Sequence, residues 1–203
     1  MIIILHRVNK IEELKKVDPK YGVEIDIRHD NKNGRLYLNH DPGEGDDFEE
    51  YIKICSEKKI KFVIFNIKEA GIENQVISLA EKYKIENYFL LDVEFPFIFR
   101  SVNNKKLKGR LAIRYSEAEP IEQALVFSGK YNWVWIDTNT KLPLDKGSYK
   151  QLKSVDYRSC LVCPERWGRP EDIDKYISFM KENGIKLDAV MTNIKYVNNW
   201  EKF

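Results

Sequence analysis

Several things are scarce in this chain, and each scarcity narrows what it can be. Cysteine occurs three times in 203 residues, at Cys55, Cys160 and Cys163. That small, odd count builds no disulfide framework and points to a reducing, cytoplasmic setting. Long apolar runs are missing. Met1–Leu5 is cut off by His6-Arg7, too short for the apolar core of a secretory leader and far short of a membrane span, so neither is expected. Charge of one sign is missing too: 34 basic residues face 32 acidic ones, for a formal net charge of +2. With no basic stripe or acidic tail, recognition of nucleic acid or of a charged membrane led by electrostatics is not expected. Repeats, low-complexity tracts and linkers are absent as well. What remains is 43% hydrophobic and 33% charged, the composition of one soluble domain spanning 1–203.

Two kinds of segment alternate along it. Short runs rich in Ile, Val, Phe and Tyr read as strands: Ile2–Leu5, Gly22–Ile27, Lys61–Ile67, Tyr88–Val93, Arg110–Tyr115, Trp133–Asp137, Ser159–Cys163 and Ala189–Met191. Leu36–Asn39 extends the second strand region through a turn at Asn33-Gly34. Helical periodicity is clearest over Asp47–Lys59, Ile72–Lys84, Pro120–Phe127 and Pro170–Asn183. The last opens with Pro170, Glu171 and Asp172 and stops before Gly184. This order predicts a single compact (β/α)8 TIM-type barrel, with an open doubly wound sheet as the competing α/β arrangement.

The position of the polar residues favours the barrel. Residues two apart on a strand share a face. Ile2, Ile4 and His6 run from apolar to polar on one face, as do Phe62, Ile64, Asn66 and Lys68. Tyr88, Leu90, Asp92 and Glu94 repeat the order, followed by Ala112, Arg114 and Ser116, then Trp133, Trp135 and Asp137. Glu165 and Thr192 close the last two strands. Polar strand ends converging on one mouth are where active sites of such barrels sit. The plainer alternative is that charged residues merely mark strand ends at the surface.

Glu24 and Asp26 carry the sharpest local signal. Their Cα atoms lie about 6.5 Å apart on one face of one strand. Two ionised carboxylates there repel and lose hydration, so one takes a proton or a cation sits between them. Oxygen ligands suit Mg²⁺ or Ca²⁺; an Arg-paired structural cluster, with Arg7 or Arg28 as counter-charge, is the alternative. His6 ends the first strand and His40 precedes Asp41. Two histidines flanking a phosphodiester could supply its acid and base, with Arg7 or Lys68 on the phosphoryl oxygens. Arg114, Asp137 and Glu165 are further candidates for substrate contact. Cys160-Leu-Val-Cys163 has CxxC spacing, but inside a strand it points its two thiols to opposite faces and reads as core. Trp133 and Trp135 read as interior filling, and Trp167 as a possible pocket wall.

His6-Arg7, Gly22-Val23-Glu24-Ile25-Asp26-Ile27-Arg28 and Leu38-Asn39-His40-Asp41 together resemble the opening of the glycerophosphodiester phosphodiesterase family, within the phospholipase-C-like TIM-barrel phosphodiesterases. The resemblance implies a divalent cation on Glu24 and Asp26, His6 and His40 as acid and base, and Arg7 on phosphate. The family's third-strand Glu-x-Lys stands here as Asn66-Ile67-Lys68, so the third metal ligand becomes the Asn66 carbonyl or moves to Asp92 or Glu94. The insertion that shapes the glycerol pocket in well-studied members is reduced to Pro42–Asp47. The chain instead resembles a short branch marked by Phe65-Asn66-Ile67-Lys68, Arg114-Tyr115-Ser116-Glu117 and Cys163-Pro164-Glu165, linked to bacterial surface-polysaccharide metabolism.

Three functions follow in order of support. The first is metal-assisted cleavage of a glycerophosphodiester or sugar-phosphate diester, by hydrolysis or cyclisation. The second is a phospho-sugar binding protein on the same scaffold, with metal affinity degraded by Asn66. The third is a metal-dependent barrel isomerase or aldolase, because fold alone does not fix chemistry.

Overall fold

Runs of β-branched and aromatic residues become strands and the segments of helical period between them become helices, because each pattern buries one face of its element. A computed structural model describes residues 1–30 and 32–203. In chain order they form β1 (Ile2–Leu5), α1 (Ile11–Leu14), β2 (Gly22–His29), β3 (Leu36–Leu38), β4 (Asp46–Asp47), α2 (Phe48–Lys58), β5 (Val63–Ile67), α3 (Glu73–Lys82), β6 (Tyr88–Leu91) and α4 (Phe95–Ser101). There follow β7 (Ala112–Tyr115), α5 (Ile121–Val126), β8 (Trp133–Ile136), α6 (Lys146–Ser154), β9 (Arg158–Val162), α7 (Ile173–Glu182), β10 (Ala189–Thr192) and α8 (Val197–Glu201). Every expected strand is present with ends shifted by one or two residues. The expected helix over Pro170–Asn183 divides into a 3₁₀ turn at Pro170–Asp172 and α7. Among the described residues no helix is long and apolar enough to cross a membrane.

The residues group into two compact units, Ile4–Ile98 and Met1–Ile3 with Phe99–Phe203. In the first, β2 runs parallel to the end of β1 (Ile4↔Gly22, Leu5↔Val23) and to β5 (Glu24↔Ile64, Ile25↔Phe65, Asp26↔Asn66). A Cβ on Gly22 would meet the Phe62 carbonyl oxygen at 2.8 Å, so only glycine lets β2 start this close to the segment leading into β5. Val23, Ile25 and Ile27 are fully buried, as are Phe48, Tyr51 and Ile52 of α2. Phe65 meets Phe48 edge-on at 5.7 Å and Tyr88 at 5.1 Å, which fixes the helix-facing side of β5. Asp47 caps α2 through the Glu50 N–H. The hairpin from β2 to β3 is antiparallel (Arg28↔Tyr37, Ile27↔Leu38) and closes through residues 30–35, with Gly34 at φ 74°. Asn31 lies outside the described residues.

One face assignment made from sequence is corrected. β6 pairs with β5 in the register Val63↔Tyr88, Ile64↔Phe89, Phe65↔Leu90 and Asn66↔Leu91. Phe89 and Leu91, not Tyr88 and Leu90, therefore share the face of Asn66. By strand parity alone Asp92 would point away from Asn66.

In the second unit β7, β8, β9 and β10 are parallel neighbours in that order, and the start of β1 joins β10 through Ile2 N–H donating to the Asp188 carbonyl at 2.8 Å. Arg114 is level with Trp135, and Trp135 with Cys160. Trp133 and Trp135 are buried and fill the interior as expected. Cys160 and Cys163 are buried thiols.

Candidate functional site

In the first unit, the C-terminal ends of β1, β2 and β5 bring together Arg7, Asn9, Glu24, Asp26, Asn66 and Lys68. Glu24 and Asp26 are 1% and 0% exposed, as deep as any apolar residue of the core. β1 stops at Leu5, and Arg7 turns the chain with φ 54°, a left-handed conformation rare for a residue with a side chain. That turn aims the Arg7 N–H at Glu24 Oε2 (2.8 Å), while Val8 N–H donates to the Glu24 carbonyl (3.0 Å). Asn66 Nδ2 donates to Glu24 Oε1 at 2.8 Å across β2 and β5. Asn9 Nδ2 donates to Asp26 Oδ2 at 2.8 Å, and the Asp26 N–H donates to Asn9 Oδ1 at 2.9 Å. The Arg7 guanidinium stands 3.8 Å from Asp26 Oδ2, and Lys68 Nζ stands 3.1 Å from Asp26 Oδ1. Asp92 also takes a left-handed backbone, φ 55°, which swings its carboxylate to 3.8 Å from Lys68 Nζ despite the unfavourable strand parity.

The electrostatics follow from burial. Loss of hydration, then the neighbouring Asp26 carboxylate, push Glu24 up to about 7, against the pull of the Asn66 and Arg7 donors. The leftover oxygens test whether the residues fit a divalent cation. Asp26 Oδ1 and Asn66 Oδ1 are both buried and neither has a hydrogen-bond donor, although they belong to cross-strand partners. Lys68 is near enough to Asp26 Oδ1 for ion pairing but is not aligned as its donor. These two buried oxygens and the Glu24 carboxylate are the oxygen donors that a hard cation such as Mg²⁺ or Ca²⁺ takes. No group of three His, Cys, Asp or Glu side chains converges among the described residues. Asp92 goes to Lys68. Of the two counter-charges considered, Arg7 approaches Asp26, whereas Arg28 pairs with Glu69 at 2.9 Å.

The histidines are held differently. His6 is half-buried in the turn after β1. His40 follows β3, and its Nδ1 lies 2.9 Å from Asp41 Oδ1. Arg28 donates twice to the His40 carbonyl, at 3.1 and 2.8 Å, so the backbone under the imidazole is fixed. His29 ends β2 and is half-buried.

Arg114, Asp137 and Glu165 belong to the second unit, where Arg114 pairs with Asp137 and Glu165 is held by Thr192 and Asn193. Asp137 is buried and accepts from Arg114 Nη2 at 2.9 Å, Trp167 Nε1 at 2.7 Å and the Thr138 N–H at 2.9 Å. Glu165 accepts from the Asn193 N–H at 2.7 Å and the Thr192 hydroxyl at 3.1 Å, and burial pushes its carboxyl up. Trp167 keeps 42% of its surface exposed with its indole N–H spent on Asp137.

Asn9 and Glu69 escaped the sequence reading. Asn9 stands two residues past His6-Arg7, where a polar residue in a short turn gave the only signal. Glu69 follows Lys68 directly, and only the parallel register of β2 with β5 shows that it meets Arg28.

No family model matches the sequence, and no curated protein matches it. Similarity appears in three dimensions. A protein of Agrobacterium tumefaciens described as a "putative glycerophosphoryl diester phosphodiesterase" superposes with a TM-score of 0.69 at 12% identity, covering 100% of this chain and 98% of that one. A mutant tryptophan synthase alpha-subunit from Pyrococcus furiosus superposes with a TM-score of 0.60 at 13% identity, over 97% of this chain and 88% of that one. At such identities the likeness is one of fold, and that fold is the (β/α)8 TIM-type barrel.

Proposed function

We propose that the chain is a single barrel domain that cleaves a small phosphodiester, of the glycerophosphodiester or sugar-phosphate diester type, at the Glu24–Asp26 end of its first unit. One observation carries the reading: a buried carboxylate pair, Glu24 and Asp26, beside an Asn66 carbonyl oxygen without a donor and flanked by Arg7 and Lys68. Paired buried acids cost stability unless something compensates them, and a site for cation and phosphate is such a compensation.

Glu24, Asp26 and Asn66 would hold the divalent cation, whose contribution when bound is to neutralise charge on the phosphoryl oxygens. The chain's own residues do the rest. Arg7 and Lys68 bind the phosphate and orient it through charge-assisted contacts. Of His6 and His40, one takes the proton of the attacking hydroxyl and the other protonates the leaving oxygen. Asp41 and Arg28 keep the His40 ring and backbone in place for its share of that work. The fold likeness to the Agrobacterium protein supports this class of substrate.

Turnover of bis(p-nitrophenyl) phosphate tests the reading. His6→Ala and His40→Ala should each lower kcat by about 10² to 10⁴ fold, and the double variant should lose less than the product of the two. Near-wild-type turnover in both single variants would point to the second reading, a phospho-sugar binding protein. What favours that alternative is the Asn66 amide donating to Glu24 where a third carboxylate would strengthen the cation site.

A further inference from the structure

Asn9 makes two hydrogen bonds to one residue, and both go to Asp26. Its carbonyl oxygen accepts from the Asp26 N–H at 2.9 Å and its amide donates to Asp26 Oδ2 at 2.8 Å. β1 ends at Leu5, opposite Val23, and β3 joins this edge of β2 only from Ile27, so the stretch between them has no strand beside it. An unpaired N–H in a buried strand costs about 1–3 kcal/mol. The loop meets that need in two steps: Val8 N–H bonds the Glu24 carbonyl, and the Asn9 side chain, imitating one more strand residue, bonds the Asp26 N–H. An acceptor alone would serve that purpose. The second bond does something the sheet does not need.

With Oδ2 committed to Asn9, the Asp26 carboxylate cannot rotate freely. Oδ1 is the oxygen left without a donor, near Lys68 and on the residue paired with Asn66, whose own Oδ1 also lacks a donor. We infer that Asn9 is a positioning residue that locks the Asp26 carboxylate so that Oδ1, and not Oδ2, is presented to the cation; this rests on the reading proposed above. Only a side chain carrying both a donor and an acceptor at this reach can hold the backbone and the carboxylate at once. Outer partners that orient a ligating carboxylate typically matter 10- to 100-fold in metal affinity.

The test uses Mn²⁺ alone as probe, with the full chain, and reads two quantities. Calorimetric titration of wild type and Asn9→Ala should show Mn²⁺ affinity falling at least tenfold. Hydrogen exchange of the Asp26 amide in the metal-free proteins, resolved by ¹⁵N NMR, should accelerate at least tenfold in the variant. Asn9→Ser, which keeps a polar group too short to span both atoms, serves if Asn9→Ala does not fold, and should show the same two changes. Unchanged Asp26 exchange in the variants overturns the inference, because the clamp would then be absent. Faster exchange with Mn²⁺ affinity equal to wild type also overturns it, leaving Asn9 a sheet-edge residue only. Faster exchange in a protein whose wild type binds no Mn²⁺ supports the clamp on Asp26 and refutes the cation reading instead.

Discussion

At the scale of single residues, Glu24 makes the most specific commitment. Its folded value near 7 lies above the usual carboxylate range, so between about pH 4.5 and 7 the native state binds a proton that the unfolded chain releases. Stability should therefore be greatest at the acid end of that window and fall as pH rises through it. Without divalent cations, Glu24→Gln should flatten this fall, which amounts to at most about 3 kcal/mol in the wild type. Urea midpoints at pH 5 and pH 7.5 check it; identical pH dependence in both proteins would mean that Glu24 ionises normally. Asn66 gives a second prediction. Asn66→Asp should tighten Mg²⁺ or Ca²⁺ binding by adding a charged oxygen, and Asn66→Ala should weaken it by removing the carbonyl. Equal affinity by calorimetry in all three proteins would take Asn66 out of contact with the ion. The placement of these residues was legible in the sequence, because Glu24-x-Asp26 and Asn66-x-Lys68 obey strand parity. Asn9 was not, since its role depends on where β1 ends and how the turn at Arg7 folds back.

At the scale of elements, sequence pattern succeeded where periodicity decided and failed where turn geometry did. The strands were legible from their β-branched and aromatic runs. α1 and α8, with four and five residues, are too short to show a period, α4 is a Phe-rich turn of helix containing Pro96, and α6 is a Lys-rich helix announced mainly by the Asp145–Ser148 capping box. Asp92 was assigned to the face of Asn66 because alternation was carried past the end of β6. The strand's register reverses that assignment, and the left-handed backbone at Asp92 then brings the carboxylate back to Lys68. The β2 start yields a prediction of its own. Gly22→Ala places a methyl 2.8 Å from the Phe62 carbonyl oxygen, with Ile4 also in contact, and the parallel pairing leaves little room to yield. A loss of about 1–3 kcal/mol is expected, read as a lower urea midpoint with unchanged m. No loss would show that β2 can move away from β5 at its first residue.

At the scale of the whole molecule, eight strand-and-helix steps in 203 residues foretold the barrel type, and the likeness to solved structures bears that out. Chemistry is a separate matter, because the same likeness extends to a tryptophan synthase alpha-subunit. What separates the possibilities is the group of residues around Glu24 and Asp26. The most direct measurement is therefore turnover of bis(p-nitrophenyl) phosphate by wild type and Asp26→Asn, after chelation and again after adding back Mg²⁺ or Ca²⁺. The account predicts wild-type turnover that is lost on chelation and restored by the cation, with Asp26→Asn at least 10²-fold slower than wild type when the cation is present. Turnover that survives chelation and is equal in Asp26→Asn would contradict it, because cleavage would then be taking place away from the buried carboxylate pair.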